Sequence, residues 1–299
     1  MSRADESTTT PPDSFERRAA LVDRAMAERF SAADLPVNLR EAVEYALLAG
    51  GKRTRPVLLL ESCEAVGGRA EDAMPAAMAI ELIHAFSLVH DDLPAMDDDD
   101  LRRGRPTLHI RSGEAMAILA GDAMMSLAFQ VICENVSDGV AAAKLVGELA
   151  SGTTAMIAGQ VYDTLGGFEK NLDDRARLAL VHRNKTGALI RAACRMGAIS
   201  GGADDSTLGA LTNFGDAIGL MFQVVDDLLD IEQTAEHTGK RTNKDHEAGK
   251  LTYPGVWGVE ASRREVARLH EEAISALAPL GDEAAPLRDI CHFLAVRTR

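Results

Sequence analysis

The chain has 299 residues, 46% hydrophobic and 26% charged, and a formal net charge of −14. That length can bury a sizeable core. The acid excess argues against nucleic acid or anionic lipid as a partner, but leaves room for anionic small substrates, because metal ions invert a local field.

Aromatic residues make up only 4%, and abundant alanine and leucine favour helices over strands. "MSRADESTTTPPD" lacks the apolar core of a signal peptide and is expected to be a disordered leader, residues 1–13, ahead of one domain over residues 14–299. Helix then follows helix. "SFERRAALVDRAMAERF" carries apolar residues at helical spacing. "LREAVEYALLAGG" is expected to stop at Gly50 and Gly51. "EDAMPAAMAIELIHAFSLVHDD" is apolar on more than one side, which marks a central helix. "GEAMAILAGDAMMSLAFQVICENV", "VAAAKLVGELASGTTAMIAGQVYDTL", "LDDRARLALVHRNKTGALIRAACRMGAISGG" and "DSTLGALTNFGDAIGLMFQVVDDLLDIEQT" continue the pattern. "HTGKRTNKDHEAGKLTYP" is polar and weakly periodic, a loop with Pro254 near the start of the next helix. No strand–turn–strand segment and no linker stand out, so the expectation is a single all-α domain. No uninterrupted apolar run reaches the roughly 18 residues of a membrane span, so no stable membrane insertion is expected. Cys63, Cys133, Cys194 and Cys291 are far apart and form no CxxC pair, which fits free thiols in a cytoplasmic protein rather than disulfides or a zinc site.

Two acidic motifs end or interrupt this apolar pattern. "LVHDDLPAMDDDDLRRGRP", Leu88 to Pro106, gathers six aspartates. Carboxylates this close raise one another's pKa and need a positive partner. Asp91 and Asp97 do not share a regular helix face, but Pro94 must distort the turn between them, and a bulged end would bring them together. Asp98, Asp99 and Asp100 read as solvated. In "FQVVDDLLD", Asp226 and Asp230 are four apart and share a face, with Asp227 beside them. Taken as a helix end, these acids oppose the macrodipole. One reading is a solvated surface; the other is a site for Mg²⁺, which takes one or two carboxylates, keeps waters and completes its shell with phosphate oxygens. On the second reading, two patches facing each other clamp one polyphosphate through several ions.

Basic residues stand near both motifs. "GGKRTRP" supplies Lys52, Arg53 and Arg55; Arg102 and Arg103 follow the first acid cluster; Lys185 and Thr186 lie in "HRNKTGALI"; Lys240 and Lys250 lie in the polar loop. Arginine suits bidentate phosphate contacts, and lysine acts as a point charge. His84 lies seven residues before Asp91, about two turns, on roughly the same face. His90, next to Asp91, could suggest the metal dyad of an HD-type phosphohydrolase, a reading that lacks further spaced histidines and leaves the second motif idle.

The ordered set "GGKRTRP", "DDLPAMDDDDLRRGRP", "KTG", "FQVVDDLLD" and "GKRTNKDHEAGKLTYP" resembles the trans-isoprenyl diphosphate synthases, most closely the bacterial farnesyl diphosphate synthase (geranyltranstransferase) type, over nearly the whole chain from about Ser14. The resemblance implies a helical bundle of the isoprenoid synthase type with a central apolar cavity. It implies ionisation of an allylic diphosphate, attack by isopentenyl diphosphate, and loss of a proton, with the departing diphosphate as base. It implies three Mg²⁺ ions, two on Asp91 and Asp97 and a third on Asp226, with Asp230 supporting through water and Asp92 and Asp227 nearby. Arg102, Lys185 and Lys240 would grip the allylic diphosphate, with Lys250 a further substrate contact. Lys52, Arg55, His84 and Arg103 would hold isopentenyl diphosphate, and Thr186 and Gln223 would turn oxygens towards the cation. A homodimer is implied too, with the Ala- and Met-rich helix from Glu114 as its interface.

Phe86, five residues before Asp91, lies roughly 7.5 Å down the helix, with the small Ser87 beside it. In the family an aromatic residue there goes with short products, chiefly the fifteen-carbon one; ten- and twenty-carbon products are the neighbouring readings. A terpene cyclase would not need Lys52, Arg55 and His84, and a non-catalytic subunit would be expected to lose acids from one motif. Arg297 and Arg299, in a basic C-terminus, would either close over substrate or be disordered.

Overall fold

The structure is a computed structural model that describes residues 10–236 and 251–297. The described residues are almost entirely helical, as the composition suggests. They fall into two compact units, one of residues 14–150 and 196–203, the other of residues 10–13, 151–195, 204–236 and 251–297. The division runs inside the long helix Gly139–Leu165 and inside Ala188–Ser200. That is why no linker composition marks it.

The first unit contains α1 (Asp13–Ser31), α2 (Val37–Leu47), α3 (Thr54–Glu64), α4 (Ala70–Asp91), α5 (Leu108–Ser112), α6 (Glu114–Asn135) and the start of α7 (Gly139–Leu165). Helix α4 is packed by α2, α3 and α6. Ala73, Ala76, Ala77, Ile80, Leu82 and Ile83 are all buried along it, so it is covered on nearly every side, as its lack of a polar face requires. Its alanines let neighbouring backbones approach. Two charge clusters, one on buried Arg53 and one on buried Glu61, pin the bundle. Arg53 donates to Asp23 Oδ1 at 2.7 Å, Glu81 Oε1 at 2.6 Å and the Leu47 carbonyl at 2.5 Å. Arg18 bridges Glu61 and Glu64. Buried charges persist only when paired like this. Arg53, grouped in sequence with the candidate phosphate ligands, is therefore an internal anchor; its left-handed backbone (φ 52°) turns it inward. Helix α2 stops at Leu47, short of the glycine pair; Gly50 and Gly51 follow with φ of 79° and 136°.

One feature runs against the sequence expectation. Leu101–Arg102 (β1) and Arg105–Pro106 (β2) pair antiparallel. Their turn is Arg103 and Gly104, both at positive φ (53° and 73°), the conformation a tight two-residue hairpin requires.

The second unit holds the rest of α7, α8 (Asp174–Val181), a π-turn (His182–Gly187), most of α9 (Ala188–Ser200), α10 (Asp205–Glu236), α11 (Tyr253–Trp257), α12 (Val259–Ala276), a 3₁₀ segment (Ala278–Ala284) and α13 (Ala285–Val296). α10 is packed by α12, α13, α11 and the π-turn. It runs on to Glu236, so Asp226 and Asp230 lie inside a helix and the macrodipole does not act on them as a helix end would. The leader's residues 1–9 lie outside the described residues, and α1 already begins at Asp13.

Three helices, α4, α6 and the Asp205–Ile231 part of α10, are long and apolar enough to cross a membrane by length and composition, with 67%, 44% and 50% of their apolar windows buried. Scattered charges break these windows, so counting uninterrupted apolar runs overlooked them. α6 leaves Ile118 (44%) and Leu119 (56%) exposed.

Gly197 of α9 sits where a Cβ would fall 2.1 Å from the Leu59 carbonyl oxygen, a backbone atom of α3 that cannot yield. Alanine should gain about 1 kcal/mol of helix propensity and lose about 1–3 kcal/mol to overpacking. Gly197→Ala is expected to lower the urea midpoint with an unchanged m-value.

Candidate active site

The first acid motif is built by a helix end that folds back on itself. Past Asp91 the Asp97 amide donates to the Asp91 carbonyl at 2.9 Å, Asp98 to Leu93 at 3.2 Å and Asp99 to Asp92 at 3.3 Å. The bulged end expected from Pro94 thus brings the backbones of Asp91 and Asp97 together across six residues. Asp91 is half-buried and Asp97 exposed. Asp92 is buried, and Arg102 grips it with Nε at 2.8 and 3.0 Å from the two carboxylate oxygens and Nη2 at 2.7 Å from Oδ1. Burial pushes the Asp92 carboxyl up and Arg102 opposes it. Asp92 is thus taken up by Arg102, which positions that guanidinium at the motif. The fold-back over residues 93–100 returns Arg102 towards the helix end, and pairing of β1 with β2 holds it there.

The next residue, Arg103, donates to the Gly50 carbonyl. A Cβ on Gly51 would meet its guanidinium at 2.5 Å, so this contact needs glycine. His84 is half-buried, and its pKa is held well below the ordinary value by burial and then by Arg55, Arg103, Arg102 and Arg53. It is neutral at pH 7. A cavity of about 50 Å³ is lined by His84, Arg102, Arg103 and Asp92, among others. Lys52 is exposed and Arg55 half-buried. Phe86 is 7% exposed and packs edge-on against His90, with ring centroids 5.6 Å apart. Ser87 Oγ donates to the His84 carbonyl at 2.9 Å. His90 Nε2 lies 3.2 Å from the Ile118 carbonyl and against Gly121, so it joins α4 to α6.

The second unit carries the other motif. Asp226 is half-buried and Asp230 exposed. Asp227 points into the protein and is a hub. Its Oδ1 accepts from Gln223 Nε2 at 2.9 Å, its Oδ2 accepts from the Tyr253 amide at 2.7 Å, and His182 Nε2 lies 3.5 Å from Oδ2. Gln223 Oε1 in turn accepts from Thr186 at 2.8 Å. Burial drives Asp227 up to about 7 and His182 down to about 4. Asp227 therefore orients its neighbours, engaged on both oxygens by protein donors. The Lys185 ammonium meets Asp163 Oδ2 at 2.5 Å. A cavity of about 120 Å³ is lined by Asp163, Lys185, Thr186, Gln223, Asp227 and His182, among others.

Lys185 and Thr186 stand on the π-turn, where one extra residue widens the helix. Two neighbours accommodate it. Gly159 leaves room, since a Cβ there would lie 2.1 Å from the Lys185 amide nitrogen. Asn184 Nδ2 donates to the Leu180 carbonyl at 2.8 Å, satisfying an acceptor in the turn. Asp163, His182 and the Tyr253 amide were not singled out in the sequence. The contact with Lys185 and a place in the lining of the cavity distinguish Asp163 from a surface acid in "GQVYD".

Arg297 is buried, and its Nη2 lies 2.5 Å from Asp226 Oδ1. Lys240, Lys250 and Arg299 lie outside the described residues. Among the described residues no three His, Cys, Asp or Glu side chains converge on a metal-sized space. Mg²⁺ needs no such cage; Asp91 and Asp97 in the first unit, joined by the fold-back, and Asp226 and Asp230 in the second each offer the carboxylate oxygens it takes.

The sequence matches the family described as Polyprenyl synthetase over residues 36–279. It is 48% identical over 271 residues to geranylgeranyl pyrophosphate synthase 11, chloroplastic, of Arabidopsis thaliana, covering 88% of this chain and 75% of that protein. It is 42% identical over 298 residues to the dimethylallyltranstransferase of Fischerella ambigua, covering 98% of this chain and 85% of that protein. Among solved structures, an apo FPP/GFPP synthase from Zymomonas mobilis superposes with a TM-score of 0.83 at 34% identity, covering 94% of this chain and 97% of that one. A putative farnesyl-diphosphate synthase from a Marinomonas species superposes with 0.80 at 38% identity, covering 96% and 100%.

Asp227 yields a pH prediction. Its folded pKa is raised from 3.8 to about 7, so the folded carboxyl holds its proton more tightly than the unfolded one. The stability this contributes is complete below about pH 4 and is lost as pH rises through about 7. In metal-free protein the urea midpoint should fall across that window, and less so in Asp227→Asn. Equal slopes would remove Asp227 from the account.

Proposed function

We propose, from the premise that this chain belongs to the polyprenyl synthetase family and is a prenyltransferase acting on isopentenyl and allylic diphosphates, that it extends dimethylallyl and geranyl diphosphate to farnesyl diphosphate. The supporting observation is Phe86, buried and braced by His90 five residues before Asp91. A rigid ring there is suited to close the pocket in which the product tail grows.

Mg²⁺, three ions held by Asp91, Asp97, Asp226 and Asp230, would neutralise charge on the leaving diphosphate. The chain's own side chains supply the remainder. Arg102, aimed by Asp92, and Lys185, aimed by Asp163, offer fixed cations where negative charge develops, and preorganised charges of this kind lower such barriers. Lys52, Arg55 and Arg103 supply cations for isopentenyl diphosphate, with neutral His84 as a hydrogen-bond partner. Thr186 and Gln223, tied to each other and to Asp227, present oxygen towards the allylic cation. An apolar tail pocket would exclude water, which would quench it. Lys240 and Lys250 complete the proposed set.

The relatives named geranylgeranyl pyrophosphate synthases favour a second reading, a twenty-carbon product. A homodimer in the cytoplasm belongs to the same proposal. It is supported by the exposed apolar residues of α6 and by free cysteines at every position.

The test is incubation with labelled isopentenyl diphosphate, each allylic primer and Mg²⁺, followed by product sizing. Fifteen carbons are expected; a twenty-carbon main product would decide for the second reading, and no condensation would overturn both. Asp91→Ala and Asp226→Ala should each lower kcat/KM by about 10²–10³-fold. Phe86→Ala should lengthen the product, and an unchanged length would show that Phe86 is not the floor.

A further inference from the structure

α13 ends at Val296, and the next residue, Arg297, lies against α10. Its side chain is 1% exposed, against 38% for the Asp226 side chain it meets. Arg297 Nη2 donates to Asp226 Oδ1 at 2.5 Å and to the Phe222 carbonyl at 3.1 Å, and the guanidinium carbon lies 4.1 Å from the Phe222 ring centre. Phe222 and Asp226 are four apart, so one helix face supplies the whole seat. The seat is imperfect: Arg297 Nε is buried without a partner among the described residues. A buried guanidinium with an unsatisfied donor is unfavourable; of the contacts that offset it, Asp226 supplies the opposite charge, beside the Phe222 carbonyl and ring.

We propose that Arg297 is the resident counter-cation of Asp226, a latch that ties the end of α13 to the second acid motif until a divalent cation takes over the carboxylate. The proposal rests on the reading of Asp226 as a Mg²⁺ ligand. A guanidinium at hydrogen-bond distance from an oxygen that also binds a dication meets strong like-charge repulsion. Metal loading therefore removes the attraction that offsets the orphaned Nε, and Arg297 leaves its seat. Coupling of this kind is reciprocal, so the latch lowers metal affinity by the factor by which metal opens it.

Two measurements on the full chain test this. The first is calorimetric titration of Mg²⁺ in the presence of inorganic diphosphate, on the parent, Arg297→Met, Arg297→Lys and Asp226→Ala. Arg297→Met is expected to bind Mg²⁺ about three- to tenfold more tightly than the parent, with Arg297→Lys between them. The second is trimming of the parent by carboxypeptidase Y, followed by mass spectrometry: removal of Arg297 should be faster with Mg²⁺ and diphosphate than without. Tighter binding by Arg297→Met together with faster trimming supports the latch, and failure of either overturns it. Should Arg297→Met not fold, Arg297→Lys and the trimming decide. Weakened Mg²⁺ binding by Asp226→Ala upholds the ligand reading even if the latch fails. Unchanged binding by that variant overturns the ligand reading itself.

Discussion

Carboxylates crowded beside carboxylates repel, and relieving that repulsion organises both acid motifs. The fold uses a different device at each position. Asp92 is matched by a chelating Arg102 on the first strand of a hairpin. Asp227 is buried until its proton is held near neutrality, with Gln223 and the Tyr253 amide on its oxygens. Asp226 is met by Arg297. The inward acids Asp92 and Asp227 become fixtures that aim their partners, while Asp97 and Asp230 are exposed. Each aspartate motif thereby contains both buried and exposed acids.

Much of this was legible in the sequence, because apolar spacing and acid spacing are both properties of a helix. α4, α6 and α10 declare themselves by length and composition, and Asp226 with Asp230 by a four-residue interval. What was illegible depends on direction. Arg53 sits between Lys52 and Arg55, and nothing in "GGKRTRP" says that its backbone turns left-handed and buries it against Glu81. Arg297 looks like one more basic residue of a fraying end. β1 and β2 are too short to show alternation. α10 appeared to stop at its acids because polar residues follow them, yet the helix continues.

The positioning of Lys185 and Thr186 illustrates how the second unit prepares its site. Each is held by a partner before any ligand arrives, Lys185 by Asp163 and Thr186 by Gln223. Gln223 is itself fixed by Asp227. Groups aligned in advance need not be reorganised when charge develops, which is the main electrostatic advantage a folded site has over water. The sequence offered Lys185, Thr186 and Gln223 as separate candidates; the structure links Thr186 and Gln223 through hydrogen bonds rooted in a buried acid.

The π-turn at His182–Gly187 has a consequence for how this helix could change over time. It contains one residue more than an ordinary turn, so losing a single codon there would restore a regular helix. The shortened helix would gain local order, but the widened turn that presents Lys185 and Thr186 would be gone. Lys185 and Thr186 could not then both keep Asp163 and Gln223. The irregularity is thus protected against removal by the partners on either side of it, and single-residue deletions should be tolerated far less here than in the segments that join the helices.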